Sequence, residues 1–223
     1  VNTAEESQSL LYREFGNTVT HGVGLWYMDL NGGWFRDPVL IDTVRRMKKW
    51  ADVSMRHSRR RVSQVAVVSA PESEFYLGYR QTPNNEISYG LYHDQMAAFY
   101  RTGAPFDWYL IDDLKAIGEN DYRVVVFLDC FYLTGEQRRM IETLRSKGRT
   151  LIWFYAPGYA SQVDLSQART EALTGFALDA VAEGPLQGEL CATGEAVGIA
   201  KRQKSLFAVH AGDGVQELAR GTD

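Results

Sequence analysis

The stretch GLWYMDLNGGWF (24–35) places two indoles, Trp26 and Trp34, on either side of one carboxylate, Asp29, with Gly32-Gly33 between. Trp beside Asp or Asn suits a sugar site: the indole covers the apolar C–H face of a pyranose, and the carboxylate accepts from its hydroxyls. A plainer reading has Trp26 packing against a helix while the two glycines turn the chain. Cys130 is a second candidate. It follows the strand-like RVVVFLD and precedes a helical pattern, a setting in which a thiolate gains from a helix N-terminus. The turn LDCFYLTG lacks the flanking glycines of a nucleophile elbow, and spacing places neither His93 nor His210 beside it. A buried, inert cysteine is therefore the expectation. His93, beside Asp94 on a helical pattern, reads as structural. His21 closes a helix, where a charged imidazole suits the dipole. Asp112-Asp113 reads as a cap for a short helix, since no second acidic cluster at fixed spacing supports a metal site.

These groups need elements to hold them. Thr3-Ala4-Glu5-Glu6 fits a capping box, and Leu11 and Phe15 follow at helical spacing, predicting a helix from about 4 to 20. VGLWYMDL (23–30) reads as a buried strand. Asp37-Pro38 then opens a second helix, with Leu40, Val44, Met47 and Ala51 on one face. Such a helix-strand-helix cannot fold alone, because its strand has no ladder partner. Beyond residue 61 strands and helices alternate, which predicts a parallel sheet with helices on both faces. The strands are QVAVVS (64–69), FDWYLI (106–111), RVVVFL (123–128) and TLIWFY (150–155). Helices are predicted over 89–101, from Thr134-x-x-Gln137 to Gly148, and over 166–173. Residues 71–87 read as a long irregular loop, and the tail shows only short strand-like pieces around 176–181 and 206–210.

Composition narrows the function classes. The chain has 223 residues, 45% of them hydrophobic, a net charge of −4 and a pI near 5.6, which gives no global case for nucleic acid. The basic run RHSRRR (56–61) reads as a solvated linker between two folded pieces. No apolar run approaches the ~20 residues of a membrane span. Cys130 and Cys191 form neither a zinc pattern nor a disulfide framework. Neither G-x-G-x-x-G nor G-x-x-x-x-G-K-[ST] occurs, and the turn after the first parallel strand, APESEFYLG, is acidic and aromatic, a poor cradle for phosphate. No cofactor is expected.

TAEESQSLLYREFGNTVTHGVGLWYMDLNGGWFRDPVL (Thr3 to Leu40) resembles the last helix, eighth strand and closing helix of the catalytic barrel in bacterial beta-galactosidase-like glycoside hydrolases related to family 42. YRVVVFLDCFYLTGEQRRMIETLRSKGRTLIWFYAPGYAS (Tyr122 to Ser161) resembles their trimerisation domain, a class I glutamine amidotransferase-like, flavodoxin-like fold without its catalytic cysteine. The resemblance covers about residues 3 to 190. It implies a (β/α)8 barrel remnant over 1–55, a basic linker over 56–61 and an amidotransferase-like domain over 62–223. It puts Trp26, Asp29 and Trp34 on the rim of the sugar site, with Tyr76, Tyr79 and Tyr89 as possible loop contributors. It also implies that the amidotransferase nucleophile's place falls at Ala156-Pro157-Gly158, which offers none. A retaining glycosidase needs two carboxylates ~5 Å apart, and the resemblance places both upstream of Val1. Glu5, Glu6 and Glu14 fall on a helix and are not promoted to that role. The chain alone is thus expected to be inactive, a piece of a hydrolase that binds a galactoside-like carbohydrate and forms a homo-oligomer, without nucleic acid or membrane partners. Two alternatives stay open: an amidotransferase-like hydrolase using Cys130, and an interaction module for carbohydrate or protein without catalysis.

Overall fold

In a computed structural model, residues 3–58, 60–77 and 90–221 are described. The chain divides into two compact units, Val1–Arg61 and Val62–Asp223. The first holds two helices. Thr3 caps α1 (Ala4–His21) by accepting from the Glu6 amide at 3.1 Å, and Gly22 ends it in the left-handed region at φ 67°. Asp37 caps α2 (Pro38–Ser54), accepting from the Val39 amide at 2.8 Å, with Pro38 in the first turn where its missing N–H costs nothing. The helices meet through buried Leu40, Thr43 and Met47, a Gln8 Nε2 to Thr43 Oγ1 bond of 2.7 Å, and Trp50 against Tyr12 and Phe15.

The segment 23–30 corrects the sequence expectation. It joins no sheet, and Val23, Trp26 and Leu30 are exposed. The apolar run was right for a buried strand, but a strand exists only with a ladder partner, and none is present among the described residues.

The second unit is built on a parallel sheet of β1 (Val65–Ser69), β2 (Phe106–Leu110), β3 (Val124–Phe127) and β4 (Thr150–Trp153), in the order β2-β1-β3-β4. This is the doubly wound, flavodoxin-like order, with its switch point between β1 and β3. Alternation along the central strands sorts the core. Ala66, Val68, Val125 and Phe127 pack on one face with Leu114 and Ile117 of α5 (Leu114–Glu119), Ile141 and Leu144 of α6 (Gly135–Ser146) and Leu173 of α7 (Gln167–Thr174). Val67, Val126 and Leu128 form a separate cluster with Phe99 of α4 (Gln95–Arg101). Helices thus cover both faces, which is why these strands read as continuous apolar runs. A short helix, α3 (Glu74–Leu77), follows the 3-10 turn Pro71–Ser73 after β1, and a π turn, Gly90–Asp94, leads into α4.

The tail is more ordered than expected. The pieces around 176–181 and 206–210 are the open ends of a long antiparallel hairpin, β5 (Leu178–Leu190) and β6 (Ala196–Val209), joined by β7 (Ala219–Gly221) in the order β6-β5-β7. Gly184, Pro185, Gly188 and Gly198 break the period-two pattern, and the register shifts between Pro185 and Leu186. Gly188 has a packing reason, since a Cβ there would stand 2.5 Å from the Arg220 carbonyl oxygen of β7.

Candidate functional site: a tryptophan loop and a closed sheet crevice

The loop before α2 is shaped by its two glycines. Gly32 and Gly33 hold φ of 74° and 90°, a region open to glycine at little cost, and a Cβ on Gly33 would meet Arg36 Nε at 2.7 Å. Asp29 closes the turn, its Oδ2 accepting from the Trp34 backbone amide at 3.2 Å, while Tyr27 and Phe35 meet edge-on at 5.5 Å. Asp29 and Trp34 are therefore joined directly, and Trp26 sits three residues upstream of Asp29 in the irregular segment before the turn. Trp26 is 71% exposed and Trp34 54%, so the loop presents two wide apolar faces beside a carboxylate. Such a surface can stack on a sugar ring and accept from a hydroxyl.

The carboxyl ends of the parallel strands, where open α/β sheets bind ligands, are filled by the chain's own side chains. Cys130, directly after β3, is 1% exposed, with Sγ 4.0 Å from the Val68 carbonyl oxygen. Burial, with a smaller push from Asp129, drives its thiol well above the usual range, which removes the thiolate a nucleophile needs. The candidate bases have other partners: His210 Nδ1 lies 2.9 Å from Asp179 Oδ2, and His93 sits edge-on to Tyr92. Asp129 is buried and accepts from the Ala70 amide at 2.7 Å. Burial raises its carboxyl, while that amide and its own N–H pull it back. Ser73 Oγ accepts from the Tyr132 amide at 3.0 Å, so the loops after β1 and β3 are tied together across the switch point.

At the turn after β4, Tyr155 holds φ 59°, a strained conformation for a residue with a Cβ. Its ring stacks on Phe131, and burial pushes its phenol up to about 12. Neither this side chain nor Ala156, Pro157 or Gly158 is an available nucleophile. A Cβ on Gly158 would stand 2.6 Å from Arg138 Nη1, so that corner is also occupied. Tyr159 and Phe207 complete the aromatic cluster over this end of the sheet. Sequence reasoning missed the Tyr155 strain, for which the residue types give no signal, and missed that β6 would deliver Phe207 here.

Tyr76 lies parallel on Tyr132 at 4.5 Å and keeps 43% exposure, while Tyr79 and Tyr89 lie outside the described residues. Asp113 Oδ2 accepts from the Leu110 amide at 3.3 Å, capping the 3-10 turn Ile111–Asp113 and not the following helix α5, to which it makes no side-chain cap bond, and Asp112 Oδ1 instead accepts from Gln137 Nε2 at 2.9 Å. His21 Nδ1 contacts the Asn17 carbonyl in the last turn of α1. Among the described residues no group of three potential metal ligands occurs, and no helix is long and apolar enough to cross a membrane.

No family model matches the chain, and no curated protein sequence matches it. Solved structures do. A catalytic mutant of Gan42B, a GH42 beta-galactosidase from G. stearothermophilus, superposes with a TM-score of 0.61 at 12% identity, over 89% of this chain and 33% of that one. The beta-galactosidase from Bacillus circulans sp. alkalophilus gives 0.59 at 17% identity, over 84% and 29%. The beta-galactosidase from the psychrophilic Marinomonas ef1 gives 0.51 at 12% identity, over 83% and 29%. At such identities the likeness is one of fold. This chain, with its flavodoxin-like sheet and the helices before it, has the fold of a part of the GH42 beta-galactosidases, and spans a third or less of the length of these three.

Proposed function

We propose that residues 1–223 are a part of a beta-galactosidase-like, retaining glycoside hydrolase, with Trp26, Asp29 and Trp34 on the rim of its sugar site. The observation that carries this is the glycine-shaped loop, which exposes two indoles beside a carboxylate; the fold likeness supports it. The catalytic carboxylates, which a retaining enzyme sets ~5 Å apart, are assigned to segments outside this chain, so the chain alone turns over no glycoside. The flavodoxin-like unit is then non-catalytic, serving domain packing or homo-oligomer formation. Its buried Cys130 and filled crevice support that role. Tyr76, on the short helix α3 where the sequence predicted an irregular loop, is held flat on Tyr132 and is the described residue suited to a neighbour's sugar site, with Tyr79 and Tyr89 after it in the sequence.

The test is titration of the purified chain with galactose and lactose while tryptophan fluorescence is followed. Saturable quenching at roughly millimolar levels is expected, weakened severalfold in Trp34→Ala and in Trp26→Ala, with no hydrolysis of aryl-galactosides. An unchanged emission spectrum at saturating sugar would remove the rim assignment, and turnover by the chain alone would remove the assignment of the catalytic pair elsewhere.

A further inference from the structure

A second concavity lies at the opposite, amino-terminal end of the parallel sheet, remote in the fold from the crevice that the aromatic cluster fills. It has a volume of about 590 Å³ and is bounded by the starts of β1, β3 and β4 and by the turn after α6. Arg123, Lys147 and Arg149 all line it, against one carboxylate, Asp121. Two of these cations are held in place. Arg149 donates from Nε to the Tyr122 carbonyl at 3.0 Å and from Nη2 to the Asn120 carbonyl at 2.8 Å, and Lys147 Nζ donates to the Gly118 carbonyl at 2.9 Å. Carbonyl dipoles orient a cation without neutralising it, and Arg149 Nη1 is buried with no acceptor among the described residues. No ion pair among the described residues involves Arg123, Lys147 or Arg149. On a chain of net charge −4 this is a local excess of positive charge in a recess, which focuses anions.

We propose that this recess binds the phosphate group of a small phosphorylated sugar or polyol. Arg123 and Lys147, both exposed, make charge-assisted bonds to the phosphate oxygens over the positive floor that Arg149 provides. The volume exceeds what a bare phosphate occupies and falls in the range of small-molecule sites. Gln64, Asp121 and Thr150, which share the lining, supply donors and acceptors for hydroxyl groups. The proposal is independent of the tryptophan loop, since it rests on other residues and another ligand charge.

The test is calorimetric titration of the chain with glucose 6-phosphate, with glucose and inorganic phosphate alongside, and amide chemical-shift mapping by NMR. Saturable binding of glucose 6-phosphate is expected, with shifts centred on 121–124 and 147–150 and no binding of glucose. The double variant Arg123→Gln and Lys147→Gln, whose exposed side chains leave the fold intact by circular dichroism, should weaken binding at least about tenfold. No saturable binding up to about 10 mM, equal affinity in the double variant, or shifts confined to other residues would overturn the proposal. Inorganic phosphate binding as tightly as glucose 6-phosphate would overturn its sugar part.

Discussion

Cys130 shows how far a residue's chemistry is set by what surrounds it. It stands after a parallel strand at the carboxyl edge of a doubly wound sheet, a position that serves catalysis in many folds. Here its sulfur is enclosed by the core and its thiol is pushed up by burial, so almost none is ionised at neutral pH. Cys191, by contrast, is exposed. Iodoacetamide at neutral pH should therefore add one adduct to the native chain, on Cys191, and two after denaturation, read by intact-mass spectrometry and peptide mapping. Rapid alkylation of Cys130 in the folded chain would restore the amidotransferase-like reading. Asp29 makes the complementary point. Its carboxylate organises the turn by accepting the Trp34 backbone amide, so the residue that suits a sugar hydroxyl also fixes the backbone that carries Trp34.

At the scale of elements, the legible features were those written in local chemistry. The Thr134-x-x-Gln137 box was readable because both halves form: Thr134 Oγ1 accepts from the Gln137 amide at 3.2 Å, and Gln137 Oε1 accepts from the Thr134 amide at 2.8 Å. Gln137 also donates to Asp112, tying α6 to the turn after β2. Thr134→Ala should cost about 1 kcal/mol, seen as a lower denaturation midpoint at unchanged slope, and Thr134→Ser should recover most of it. A loss within error for Thr134→Ala would mean that α6 is held by Ile141 and Leu144 alone. The four parallel strands were legible for the same reason, as unbroken apolar runs bounded by turns. Segment 23–30 has the same composition, yet no sheet forms there, because pairing depends on a partner that the run itself does not encode. The β5–β6 hairpin failed in the other direction: its pairing is real, but glycines, a proline and a register shift hide its period. The tryptophan loop was legible as a set of residues, whereas Tyr155's strain and Phe207's arrival over the crevice follow from tertiary packing.

At the scale of the whole molecule, the two units differ in what holds them. In Val1–Arg61 the buried residues among those described are Leu40, Thr43 and Met47, and much of the remaining apolar surface, including Leu25, Trp26, Met28 and Met55, faces outward. In Val62–Asp223 the central strands are sealed on both faces by helices. Burial is the main source of stability, at roughly 25 cal/mol per Å² of apolar surface, so the free energy of opening should be far lower in the first unit than in the second. Hydrogen exchange followed by mass spectrometry on the intact chain tests this directly. Amides over 23–30 should exchange at nearly the unprotected rate, those of α1 and α2 should follow well before those of β1 and β3, and thermal unfolding should deviate from a single two-state transition. Equal protection of α1, α2 and the central strands would show one cooperative body instead. The same measurement, repeated on a longer natural product containing this chain, should show strong new protection over 23–30 if that segment gains a strand on each side there, as a barrel position requires.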